Sequence, residues 1–291
     1  MRNRTLLLAA ALSAASALAL SCCASAASTS EPLSTADAVA TVAPPAIRSA
    51  GTLTFCTTNL GSPPNISTDE GGTLVGSEID LAKALAGRLA LRPDFVTVDF
   101  AALIPSLQAG QCDVITASLY IKPEREEVVD FVPYLTSATG VAVKKDSDSG
   151  ITGLDDSLCG RNVMVTVGTT AQSLAEEQSA TCTGAGEEAL DIATNSQATI
   201  GFQQLANDQI DAYLDTSELI GYYQKQGTAG IELVGEPTEP VEIGAATNKD
   251  DAALHDALQL AFDDLVSSGD YLSILDSWGQ ASVALDAGSG E

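Results

Sequence analysis

The chain has 291 residues, with 39 acidic and 13 basic side chains, a net charge of −26 and one histidine. Charge of that sign opposes binding to nucleic acid and to anionic lipid, and a lone histidine with no CxxC spacing argues against a zinc site.

Met1-Arg2-Asn3-Arg4 is followed by an apolar, small-residue run from Leu6 to Leu20. A charged start and a run too short to span a bilayer as a mature helix read as an export signal. Ser21-Cys22-Cys23 then resembles a lipobox, in which a cysteine after a small residue is acylated and becomes the new N-terminus. Cys22 follows Ser21, and Cys23 has Leu20 three places upstream, so both remain open as the lipid attachment site. The alternative is an ordinary signal peptide cut between Ala24 and Ala27. Loss of residues 1–23 removes two arginines and no acid, leaving 11 basic against 39 acidic residues, a charge of −28. Residues 24–47 are rich in Ala, Ser, Thr and Pro and read as a flexible tether. No second apolar run reaches membrane length.

The patterned elements begin with a strand at Leu53–Thr57. A helix follows at Glu78–Leu89, with Ile79, Ala82, Leu85, Ala86 and Leu89 on one face. Phe95–Val98 reads as a strand, Asp99 as the cap of a helix ending at Gly110, and Cys112–Leu119 as a buried strand. This βαβαβ order predicts a parallel sheet. The last strand ends in small polar residues, and a lone arginine, Arg125, follows. Open α/β sheets bind ligands at the carboxyl ends of their strands, and an arginine fork fits a carboxylate. The segment therefore reads as half of a pocket for a small organic anion or zwitterion. The second half repeats the plan, with a strand at Asn162–Val167, Gly168-Thr169-Thr170 opening a helix to about Gln178, a helix at Ala198–Asn207 and a strand at Ile210–Leu214. Leu254–Ser267 is a helix with Leu254, Leu258, Ala261, Phe262 and Leu265 as its buried stripe. Lys144-Lys145 reads as a solvated turn, His255 as a surface residue, and Gln280–Glu291 as a patternless tail. Cys56, Cys112, Cys159 and Cys182 remain after processing; an even count in an exported chain reads as disulfides, with three connectivities open.

The segment from Gly110 to Arg125 resembles the family 3 solute-binding proteins, receptors of polar amino acid ABC importers. The resemblance extends to Val98–Leu107, Val128–Tyr134, Gly76–Leu81, Gly168-Thr169-Thr170 and Gly269–Gly279, in family order from about Ser49 to Gly279. It implies a two-lobed α/β fold of the type II periplasmic-binding-protein kind, with two sheets flanked by helices and a hinge of two crossings. Lobe 1 would span 48–137 and 245–279, and lobe 2 would span 138–244. Cys159 and Cys182 then flank the first strand–helix unit of lobe 2, and Cys56 and Cys112 lie near two strands that should be neighbours in lobe 1, so pairing is expected within each lobe.

The resemblance also implies a ligand set. Arg125 would clamp the ligand carboxylate, Thr169 and Thr170 would add helix N-terminal donors, Phe100 would stack on the ligand, and Ser118 and Tyr120 would flank the strand end. Tyr120 departs from the usual small hydroxyl residue and takes up pocket volume. The ammonium side departs further: Thr58 and Thr216 stand where the family has acids, Asp215 comes one place early, and Asn65 and Ser77 replace aromatics. An amino acid remains the expected ligand, and a carboxylate without an α-ammonium stays open. The implied protein is a monomer at the cell envelope, lipid-anchored to the outer face of the plasma membrane or periplasmic, with ABC permease subunits as partners and no cofactor. The alternative is a dehydratase-like enzyme on the same fold, with Asp215 or Glu78 as the available acids.

Overall fold

The computed structural model describes residues 38–58, 61–227, 230–238 and 240–285. The signal segment, Cys22, Cys23 and most of the tether lie outside the described residues.

Two five-stranded sheets organise the chain. The first uses β1 (Thr52–Thr57), β4 (Arg92–Thr97), β5 (Val114–Ile115), β6 (Val129–Ser137) and β12 (Val241–Asn248), in the order β4-β1-β5-β12-β6. β1 runs parallel to β4 and β5, as the βαβαβ reading expects, while β12 is antiparallel to both β5 and β6. A two-stranded ribbon, β2 (Ser67–Thr68) with β3 (Leu74–Val75), leads into α1 (Ser77–Arg88). Both faces of this sheet are covered. Leu53 and Phe55 point into a core built with α1 and α7 (Ala252–Ser268), and Cys56 points to the opposite face with Leu103 and Leu107 of α2 (Leu103–Gln108). All five residues of the α7 stripe are buried, each large one contributing roughly 1.5–3 kcal/mol.

The second sheet has the order β11-β7-β10-β8-β9, from β7 (Thr139–Lys144), β8 (Asn162–Thr166), β9 (Asp191–Asn195), β10 (Ala212–Thr216) and β11 (Ile231–Val234). Its helices are α4 (Thr170–Ala185), α5 (Ala198–Ala206) and α6 (Ser217–Gln226). The short α3 (Pro123–Glu126) and the C-terminal α8 (Asp270–Ser277) belong with the first sheet, where they pack on β6 and on α1 and α7. The chain crosses between the sheets at Ala138, between β6 and β7, and returns between β11 and β12. Disulfides join Cys56 to Cys112 beside the first sheet and Cys159 to Cys182 beside the second, with Cα atoms 5.5 and 5.6 Å apart.

Several local expectations are corrected. The strand expected at 112–119 keeps ladder geometry only at Val114–Ile115, because the N–H of Ser118 turns to the Glu78 carboxylate instead. Asp99 precedes a short 3₁₀ turn and makes no side-chain cap, and Pro105 in the first turn of α2 removes an N–H there. α4 runs past Gln178 to Ala185 and stops at Gly186 in the left-handed conformation. The strand read at 210–214 sits two residues later. Lys144 ends β7 and pairs with Asp208, and its carbonyl accepts from the Ser147 N–H, so Lys145 lies in the exposed turn expected there.

The segment ends are also more ordered than composition suggests. Val42 and Ile47, within the presumed tether, are buried in the core of the first lobe. Gln280 is 4 % exposed, and Val283, Ala284 and Leu285 pack on that same core.

Candidate functional site

The carboxyl ends of the two sheets face each other across one cavity. From the first lobe it is lined by Thr58, Asn65, Ile66, Phe100, Ala117, Ser118, Tyr120 and Arg125; from the second by Thr139, Thr166, Thr169, Thr170, Asp215, Thr216 and Leu219. The seven residues expected to bind ligand, Phe100, Ser118, Tyr120, Arg125, Thr169, Thr170 and Asp215, thus lie around a single space. The lobes meet at the rim with no room for added side chains. A Cβ at Gly168 would stand 3.0 Å from that of Ala101, and one at Gly61 would stand 2.7 Å from Thr199 Cγ2. The structure is a closed cleft.

Arg125 is half-buried. Its Nη1 donates to the Tyr120 carbonyl at 2.8 Å and its Nη2 reaches the Gly168 carbonyl of the other lobe at 3.5 Å. The Phe100 ring lies 5.8 Å from the guanidinium. Among the described residues no carboxylate lies within ion-pair distance of it, and burial pulls its pKa down from the ordinary arginine value. Nearby, Thr169 caps α4 by accepting from the Gln172 N–H, and Gln172 Oε1 returns to accept from the Gly168 N–H at 2.8 Å. This reciprocal cap is a capping box whose return bond reaches one residue ahead of the cap. The next two N–H groups, of Thr170 and Ala171, have no partner among the described residues, and both residues line the cavity.

The opposite wall is acidic. Asp215 accepts from the Tyr213 hydroxyl at 2.5 Å and from the Thr216 N–H at 2.7 Å, yet burial pushes its pKa up to about 6. It is the one lining acid among the described residues. Thr58, where an acid was expected from the resemblance, is buried with no hydrogen-bond partner for its hydroxyl among the described residues.

Sequence reasoning missed the polar network beneath the site. Glu78 is 1 % exposed and accepts from the Ser118 N–H and hydroxyl, both at 2.8 Å. Asn65 Nδ2 donates to Ser118 Oγ at 3.0 Å, and Gln280 Nε2 donates to Asn65 Oδ1. The carboxylate thereby holds Ser118 at φ 51°, a left-handed conformation costly for serine. The signal was available: Glu78 lies four residues before Ala82 on the apolar stripe of α1, so an acid there faces the core. His255 does not approach the cleft; its ring nitrogen meets the Phe131 carbonyl at 3.2 Å.

Burial, offset in part by the bonds from Ser118, raises the Glu78 pKa to about 7, and burial likewise raises Asp215 and Glu218 to about 6. A carboxyl whose folded pKa lies above its unfolded value contributes most below the unfolded value and loses that contribution as pH rises through the folded one. Ligand-free protein is therefore expected to melt at higher temperature at pH 5 than at pH 8, by about 5 °C or more given about 1.4 kcal/mol per pK unit. Glu78→Gln should flatten much of that slope. Thermal melts across this window check it, and a parent that melts higher at pH 8 contradicts it.

Comparison with known proteins agrees with this geometry. The model of "Bacterial extracellular solute-binding proteins, family 3" matches residues 53–281. The arginine-binding protein ArgT of Corynebacterium glutamicum is 29 % identical over 244 residues, 84 % of this chain and 79 % of that protein. An ancestral arginine-binding protein bound to arginine superposes with a TM-score of 0.72 at 32 % identity, over 79 % of this chain and 98 % of the other. An ancestral amino acid-binding protein, AncCDT-1, a precursor of cyclohexadienyl dehydratase, gives 0.70 at 29 %, over 78 % and 95 %. With a match over most of its length, and two lobes closing on one cavity, the chain belongs to the bacterial extracellular solute-binding proteins, family 3.

Proposed function

We propose that the protein captures an amino acid between its lobes and delivers it to the permease of an ABC importer. Arg125 is the observation that supports this most directly: a half-buried guanidinium, bonded among the described residues only to carbonyl groups, beside helix N-terminal N–H groups that have no partner among those residues. That is the donor set a carboxylate needs. Asp215 and the buried Thr58 hydroxyl, which has no partner among the described residues, supply acceptors for an α-ammonium, so one cation and one acid suit a zwitterion. Phe100 and Leu219 offer apolar contact to the side chain. Relatives named as arginine-binding make L-arginine the first compound to test. The lobes close about the crossings at Ala138 and between β11 and β12, so the expected boundary at 244/245 moves ahead of β12, whose residues from Val241 belong to the first lobe.

Ligand that binds only the folded protein raises its stability by about 2.7 kcal/mol at a hundredfold excess over Kd. A thermal-shift screen should therefore find one or more L-amino acids that raise Tm and deaminated analogues that raise it much less. If no carboxylate-bearing compound shifts the transition, the reading fails.

Catalysis is the second reading. An acid in the cavity with a pKa near 6, and a structural neighbour that preceded a dehydratase, favour it. Native mass spectrometry separates the two: unchanged amino acid in the purified protein supports transport, and a product-like species supports catalysis.

The mature protein acts as a monomer on the outer face of the membrane, anchored through Cys22 or Cys23. The lipobox-like sequence and the Ala/Ser/Thr-rich segment after it support this. Replacing both cysteines by serine should move the protein from the membrane fraction to the medium or periplasm; a double variant that still pellets with membranes removes the anchor from the reading.

A further inference from the structure

Tyr120, Ser137 and Glu218 come from three parts of the molecule and form one hydrogen-bonded line. Tyr120 follows β5 in the first lobe, where it bridges to Ile243 of β12. Ser137 ends β6, one residue before the crossing into the second lobe. Glu218 sits in the first turn of α6. The Ser137 hydroxyl donates to Glu218 Oε2 at 2.8 Å, which leaves its oxygen to accept from the Tyr120 hydroxyl, also at 2.8 Å. Tyr120 and Ser137 are 4 % and 3 % exposed, so water cannot easily replace either bond.

We propose that Glu218, which does not line the cavity, is a positioning residue for ligand capture. Through Ser137 it holds Tyr120, and with it the closed hinge, in the geometry that grips a ligand. This rests on the reading of the cleft as the binding site. The physical reason is the placement of the three groups. Two belong to the strand end and crossing of lobe 1, and the third rides on a helix of lobe 2, so the Ser137–Glu218 bond spans the lobes and is the one that opening the cleft would stretch. Hinge motion is absorbed by a few residues at element ends, and Ser137 is at such an end. A bond made only in the closed form adds to its population, and ligand capture draws on that population. The acceptor is charged, which strengthens the bond from Ser137. Asp215 of β10 and the Tyr120 phenol are the other titratable groups whose charges bear on it most closely, and Glu78 of α1 bears on it from the first lobe.

The test follows closure by energy transfer between dyes at the exposed positions Lys83 and Glu177, one on each lobe. The probe is an equimolar mixture of the twenty common L-amino acids. Glu218→Ala, Ser137→Ala and Tyr120→Phe should each raise the half-closing concentration about tenfold. Glu218→Gln keeps an acceptor and should stay within about threefold of the parent. The double variant Glu218→Ala/Tyr120→Phe should be no worse than the poorer single, because both break the same line. Variants that close at the parent's concentration and merely melt earlier overturn the proposal, as do losses that multiply in the double variant. Arg125→Ala closing like the parent refutes the arginine clamp alone. A parent that does not close in the mixture overturns the binding reading and the positioning role together.

Discussion

Arg125→Ala should abolish ligand binding while leaving both disulfides and the melting temperature of the ligand-free protein nearly unchanged. The guanidinium is held by two carbonyl groups, one from each lobe, and has no ion-pair partner among the described residues. Its removal costs the fold little, because what is lost are two bonds to carbonyls at the cleft. The cost to binding is large, because a ligand carboxylate would keep the N–H groups at the start of α4 but lose its counter-charge and the two-pronged donor. Truncating one partner of a buried, hydrogen-bonded charge pair costs about 2–5 kcal/mol, which is roughly 30-fold to several thousand-fold in Kd. Titration calorimetry with whichever amino acid the thermal screen identifies measures this directly. Wild-type affinity in the variant would sink the clamp.

Replacing Cys56 and Cys112 by serine should destabilise the protein more than replacing Cys159 and Cys182. The first bridge spans 56 residues and the second 23. On the chain-entropy model these correspond to about 4 and about 3 kcal/mol. The difference should be enlarged by position. Cys56 is fully buried in β1, against Leu103 and Leu107, whereas Cys159 lies in a loop only partly packed on its core. The first pair would bury two serine hydroxyls in its core, against one, at position 182, for the second pair, and so adds the larger desolvation penalty. Denaturant melts of the two double variants rank them, and a greater loss for the second pair would contradict the expectation.

The legible parts of the chain were those in which local pattern and global packing agree. α1 and α7 show apolar residues at helical spacing because each presents one face to the first sheet, and both appear within two residues of the expected bounds. The seven residues expected to bind ligand rested on the family resemblance, with Arg125 and the small polar strand end before it also readable from open-sheet geometry, and all seven line the cavity. What could not be read depended on partners far along the chain. The segment after β5 looks like a strand in sequence, but Glu78, 40 residues earlier, takes the Ser118 N–H out of the ladder. Ser137 and Glu218 are unremarkable in sequence and gain meaning only when the crossing brings them together. β11 and β12 are short or antiparallel additions whose register is set by β7 and β6, not by any pattern of their own. Val42 and Gln280 lie in stretches whose composition suggests loose ends, and each is captured by a core that the intervening chain builds.

Those two captured ends have a mechanical consequence. Val42 and Ile47 near the start of the described chain, and Val283 to Leu285 near its finish, seat in the same lobe. A pull on either end is therefore transmitted into the first sheet and its helices, and the load path bypasses the second lobe. The second sheet, with α4, α5 and α6, hangs from the crossings like a jaw on a fixed frame. Drag or tension on a tether would reorient the frame as a whole without prying the jaw open, so the grip on a captured solute is insulated from forces acting on the chain ends.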